Sequence, residues 1–120
     1  MMLAEYNGFC AGLPATHHVV QWGGADVWKV GSKVFAIARE RDDGGLDVTF
    51  KCSDMAFEML KGEPGLRPAP YLASRGMSWF QRQTDESMSD AALCAYLRES
   101  HRLVAAKLTR REREELGLAR

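Results

Sequence analysis

The chain has 120 residues, 46% of them hydrophobic and 27% charged, and its 16 Lys+Arg balance 16 Asp+Glu. That length builds one domain around one core (residues 1–120), with the composition of an ordinary globular protein. Zero net charge excludes a strong whole-protein field for nucleic acid, and no apolar run nears the roughly 20 residues that span a bilayer.

Residues 2–12 predict a short helix, stopped by Gly12 and Pro14. The leading MMLAEYNGFCAGL has no basic flank and no long apolar core, so it does not read as a secretory signal. Residues 17–22 (HHVVQW), 26–30 (DVWKV), 33–39 (KVFAIAR) and 46–51 (LDVTFK) predict four strands, rich in Val, Phe, Ile, Trp and Thr. Gly23-Gly24, Gly31-Ser32 and Asp42-Asp43-Gly44-Gly45 link them, and links this short force antiparallel neighbours. In the fourth strand Leu46, Val48 and Phe50 alternate with Asp47, Thr49 and Lys51, so one face of the sheet is expected to be wet.

Ser53 predicts a helix cap for residues 54–61. Pro68 and Pro70 then push residues 67–71 toward a stiff, polyproline-II-like run. Met77–Gln83 predicts a fifth strand, with Trp79 and Gln81 facing opposite to Phe80 and Arg82. Ser87-x-x-Asp90 resembles a capping box, with Ser89 as a rival cap, before a helix that runs to about Ala106. Its apolar stripe is Leu93, Tyr96, Leu97, Leu103 and Val104. Thr109-x-x-Glu112 is a second capping box and predicts a terminal helix. The order α-β-β-β-β-α-β-α-α predicts a two-layer α+β domain, a mostly antiparallel sheet of about five strands with helices packed on one face.

Charge is uneven despite the neutral total. Residues 61–83 set Lys61, Arg67, Arg75 and Arg82 against Glu63 alone, a net of +3. Residues 107–120 set Lys107, Arg110, Arg111, Arg113 and Arg120 against Glu112, Glu114 and Glu115, a net of +2. Cys10, Cys52 and Cys94 are odd in number, far apart and without CxxC spacing, which fits free thiols in a reducing cytoplasm.

Several stretches together carry a resemblance: Trp22-Gly23, Val27–Ala36, Leu46–Cys52 ending in Lys-Cys, Pro64–Leu72 (PGLRPAPYL), and Tyr96–Leu108 with its Leu-Val-x-x-Lys-Leu ending. Over about residues 13–118 the chain is similar to the MmcQ/YjbR-like proteins, small bacterial α+β domains often named DNA-binding. PGLRPAPYL is the most specific piece. The resemblance implies a compact domain that contacts DNA through a double-wing arrangement. After PAPYL, relatives tend to carry an Asn-Lys-Arg-His-Trp-like run. Here Ala73–Trp79 keeps Arg75 and Trp79 but lacks the Lys and the His, and His101 replaces an aromatic after Ser100.

Arg67, Tyr71, Arg75 and Trp79 form the leading candidate site, since two guanidiniums beside two aromatics can hold a phosphate and stack a base. The same four residues would equally serve as a packing cluster around a rigid proline loop. Lys29 and Lys33 flank the Gly31 hairpin as a wing tip or as solvated turn lysines, and Arg82 completes the set of candidate phosphate contacts. His17 and His18 are neighbours in a strand and point to opposite faces, so no metal site is expected. Nothing completes a nucleophilic triad around Cys52, and there is no P-loop, GxGxxG or paired acidic motif. The expectation is a binding domain and not an enzyme, with no cofactor, no metal and no membrane. Its partner would be DNA, bound weakly and in a salt-dependent way. The alternative is a protein-interaction module, including a homodimer that uses a strand edge or the Trp22/Trp28 surface. An enzyme or small-ligand site at Arg67/Tyr71/Arg75 ranks behind both.

Overall fold

The computed structural model describes residues 1–118; Arg120, counted above in the basic C-terminal stretch, lies outside them. Helix α1 (Leu3–Ala11) leads into β1 (Thr16–Gln21), β2 (Ala25–Val30), β3 (Lys33–Glu40) and β4 (Leu46–Lys51). Helix α2 (Asp54–Leu60), strand β5 (Leu66–Pro68), a single 3₁₀ turn (Ala73–Arg75) and β6 (Trp79–Arg82) follow. The long α3 (Asp90–Ala105) and the short α4 (Arg110–Glu115) end the described chain. All strands lie in one antiparallel sheet of six, in the order β1-β2-β3-β4-β6-β5.

The sixth strand is β5, where a polyproline-II-like run was expected. Leu66, Arg67 and Pro68 pair with Arg82, Gln81 and Phe80. Pro68 has no N–H to give, so it fits only at a sheet edge, which is where it sits. The extended run ends at once: Tyr71 has φ +70°, outside any polyproline geometry.

The helices cover one face. Tyr6 and Cys10 of α1, Leu60 of α2, and Leu93, Leu97 and Val104 of α3 share a buried cluster with Trp28, Val30, Phe35, Val48, Phe50 and Phe80 of the sheet. Ser53 caps α2 by accepting the Ala56 N–H, Ser89 rather than Ser87 caps α3, and Thr109 caps α4. Glu112, the other half of the expected capping box, turns away to take the N–H of Ser32 at 2.9 Å and its hydroxyl at 3.2 Å. Gly31 permits that contact: it stands at φ +56°, and a Cβ there would lie 2.8 Å from Glu112 and 2.9 Å from Leu116.

One buried hydroxyl joins the two layers. The β3–β4 ladder stops at the Ala36–Phe50 pair, beside a bulge in which Phe35 is the extra residue against β2. Ser100 of α3, fully buried, donates to the Phe35 carbonyl at 2.7 Å and accepts the Lys51 N–H at 2.9 Å. Its hydroxyl thus stands in for the next rung. Ser100→Ala leaves a donor and an acceptor buried and unpaired, so urea titration should show a loss of about 1–3 kcal/mol at unchanged m. An effect within about 0.5 kcal/mol, the size of an ordinary surface substitution, would mean that this joint does not hold the layers together.

Candidate functional site: the uncovered sheet face

Pairing and alternation decide which side chains share the face that no helix covers. Gln81 pairs with Arg67 and Thr49, Thr49 with Ile37, Ile37 with Val27, and Val27 with Val19. Two residues along each strand lie His17, Lys29, Arg39, Asp47, Lys51 and Trp79, which therefore stand on the same side. Ala25, Val27 and Trp79 are buried here yet lie outside the main core cluster.

The face is basic although the chain is neutral. Its strands carry Lys29, Arg39, Lys51 and Arg67 against the single carboxylate of Asp47, which is bound by a guanidinium nitrogen of Arg41. Arg41 also pairs with Asp43, whose carboxyl is held below its usual range by the Gly45 N–H and then by Arg41. Lys51 stands 5.9 Å over the Trp79 ring.

Across the middle of the face runs a cleft of about 590 Å³, lined by Trp22, Ile37, Arg39, Asp47, Thr49, Arg67, Pro70, Tyr71, Leu72 and Gln81. Arg67 donates through Nε to Gln81 Oε1 at 2.7 Å, and Gln81 Nε2 donates to Thr49 Oγ1 at 3.0 Å. Arg39 grips the turn between β1 and β2, giving 2.6 Å to the Trp22 carbonyl and 3.1 Å to that of Gly23. Trp22 and Tyr71 remain 56% and 68% exposed.

The structure sorts the sequence-derived candidates into three groups. Arg67 and Tyr71 line the cleft; Arg75 joins them, donating 2.8 Å to the Tyr71 hydroxyl with its guanidinium 5.5 Å from the ring. Trp79 shares the face but is buried beside Lys51. Lys29 lies on the face and Lys33 at the hairpin end, but the tip between them is no free wing, because Glu112 pins it at Ser32. Arg82 points the other way. It is 3% exposed and donates 3.0 Å to the Met88 carbonyl and 2.7 Å to Asp90, so it joins a strand end to the start of α3.

Trp22 was expected only in a Trp22/Trp28 partner surface, which does not form because Trp28 is buried in the core; Arg39 was not among the candidates at all. The available signal was a Trp directly before Gly-Gly, a turn that needs its carbonyls held. In the basic C-terminal stretch, three of the arginines have partners nearby. Arg110 and Arg111 pair with Glu114 and Glu115, and Arg113 donates to the Ala106 and Leu108 carbonyls.

Groups that suggest chemistry are occupied elsewhere. His18 donates to Asp26 at 2.7 Å and leans on Trp28, and His101 gives its Nε2 to the Pro14 carbonyl at 2.8 Å. Among the described residues no group of three or more His, Cys, Asp or Glu is placed to hold a metal, and no helix is long and apolar enough to cross a membrane. The three cysteines are free, and burial pushes Cys10 up to about 12 and Cys52 to about 11. A thiol-alkylating reagent at pH 8 should therefore leave Cys10 and Cys52 untouched in the native protein and label both in denaturant. Rapid native labelling of either would mean that it is not buried as described.

A family model described as YjbR matches residues 11–103. The chain is also similar to a solved structure, the crystal structure of Deinococcus radiodurans protein DR2400, family-model domain DUF419. That match has 25% sequence identity and a TM-score of 0.84, covering 98% of this chain and 89% of that one. The curated proteins gave no match.

Proposed function

This chain belongs to the YjbR family, and from that membership and its uncovered face we propose that it is a DNA-binding domain. One observation carries the reading: a neutral chain concentrates Lys29, Arg39, Lys51 and Arg67 on a bare sheet face whose one strand carboxylate is already taken by Arg41. Cations left without carboxylate partners on a sheet face that no helix covers suit a polyanion. Lys33 and Arg75 extend the contact at two rims; Arg82, spent on Asp90, takes no part. The chemistry is binding without catalysis, and the three free thiols favour the reducing cytoplasm.

Few phosphates can be met by so few cations. Three or four contacts give a log–log dependence of affinity on salt with slope about −3 for duplex DNA. Arg67→Ala and Lys51→Ala should each flatten it by about one unit and weaken all sequences alike. Arg102→Ala, on an exposed helix and tied to Glu99, should leave the slope alone. No binding at about 50 mM salt, where phosphate contacts are strongest, or equal effects from Arg102, would defeat the reading.

A second reading has its own observation. Strand β5 is a three-residue edge protected by Pro68, whereas β1 is a six-residue outer strand with Val20 62% exposed. Such an edge can add a strand from another copy. Light scattering should then show a dimer that Val20→Lys dissociates; a concentration-independent monomer removes this alternative.

A further inference from the structure

We propose that the cleft between Trp22 and Tyr71 takes unpaired nucleotides, so that the domain prefers a single strand to a duplex. The inference rests on the DNA reading above and adds where the bases go. Its first support is shape: a cleft of about 590 Å³ is the size of a small-ligand site. The lining spans β3 to β5, three strand spacings or about 14 Å. Trp22 stands at the β1–β2 turn and Tyr71 beyond β5, so the rings border the cleft from opposite ends of that span and each offers its own platform, for consecutive nucleotides.

The second support is the backbone. Trp22 and Tyr71 hold φ at +55° and +70°, in the left-handed region that bulky side chains avoid. Glycine or asparagine would sit there with less strain. The fold instead spends strain to leave two ring systems in water over a concave, partly apolar floor of Ile37, Pro70 and Leu72.

The third is the polar floor. Thr49 and Gln81 are 6% and 9% exposed, and their mutual bond leaves one amide N–H and the threonine proton unspent. Arg67 uses only Nε on Gln81; its two terminal nitrogens have no partner among the described residues. A ring face, a hydrogen-bonding edge and a cation together match the three parts of a nucleotide: π surface, base edge and phosphate. Asp47, the carboxylate at the cleft, is paired with Arg41, which weakens its repulsion of a phosphate. A paired duplex hides its base faces and cannot use these rings.

The test compares fluorescein-labelled oligo-thymidylate, the same strand annealed to oligo-adenylate, and thymidine 5′-monophosphate, at one salt concentration. The single strand should bind more tightly than the duplex. Trp22→Asn and Tyr71→Asn should each lower its affinity by about 5- to 160-fold, the usual worth of one stacked base, and reduce the preference over duplex. Because asparagine tolerates the left-handed backbone, both variants should melt no lower than the parent, which separates lost stacking from lost folding. Tyr71→Phe, which keeps the ring, should keep the affinity. Equal affinity for both strand states, insensitive to either asparagine variant, overturns this proposal and leaves the DNA reading standing. Binding of the monophosphate alone, lost in the asparagine variants, supports the cleft but overturns the DNA reading. No binding of any probe overturns both.

Discussion

The architecture depends on how α3 is fastened to the sheet. A buried Ser100 hydroxyl completes the hydrogen bonding of β3 and β4 at the place where a bulge interrupts it. The long helix is thereby fixed in register over the middle strands, with Leu93 and Leu97 seated in the core. With that helix, α1 and α2 on one side and α4 docked at the Ser32 hairpin, no helix of the described residues covers the other. The bare face is a consequence of where the covering was spent.

Electrostatics follow the same division. On the helix side, many charges are matched: Arg82 with Asp90, Lys61 with Glu58, Arg102 with Glu99, and the four-residue pairs of α4. On the open side, cations outnumber carboxylates. A neutral total therefore conceals an open sheet face on which cations outnumber carboxylates, and that surplus is what the face offers a polyanion.

Much of the fold was legible because its signals are local. Short glycine turns, two-residue alternation in Leu46–Lys51, and the caps at Ser53 and Thr109 act within a few residues of one another. The sixth strand was not legible, since three residues containing a proline carry no periodicity and form a strand only when β6 supplies partners. The site was half legible. Alternation correctly set Arg82 on the side of Phe80, but the burial of that side depends on α3 packing, which the alternation of β6 does not encode. Arg67 and Tyr71 were readable from their proline-rich setting. That Trp22 and Arg39 join them was not, because what unites those two is the register of β1 to β3 and a turn whose carbonyls the arginine holds.

The clamp between Glu112 and Ser32 gives the C-terminal helix a spectroscopic handle. The Ser32 amide sits in an exposed hairpin tip, and its acceptor is a side chain 80 residues away in the sequence. Its hydrogen-exchange rate therefore reports the undocking of α4 as a separate, sub-global opening, while the amides of Lys51 and its neighbours report the global transition. Two amides in one chain thus give the local and the total stability independently, from the protein in its native buffer.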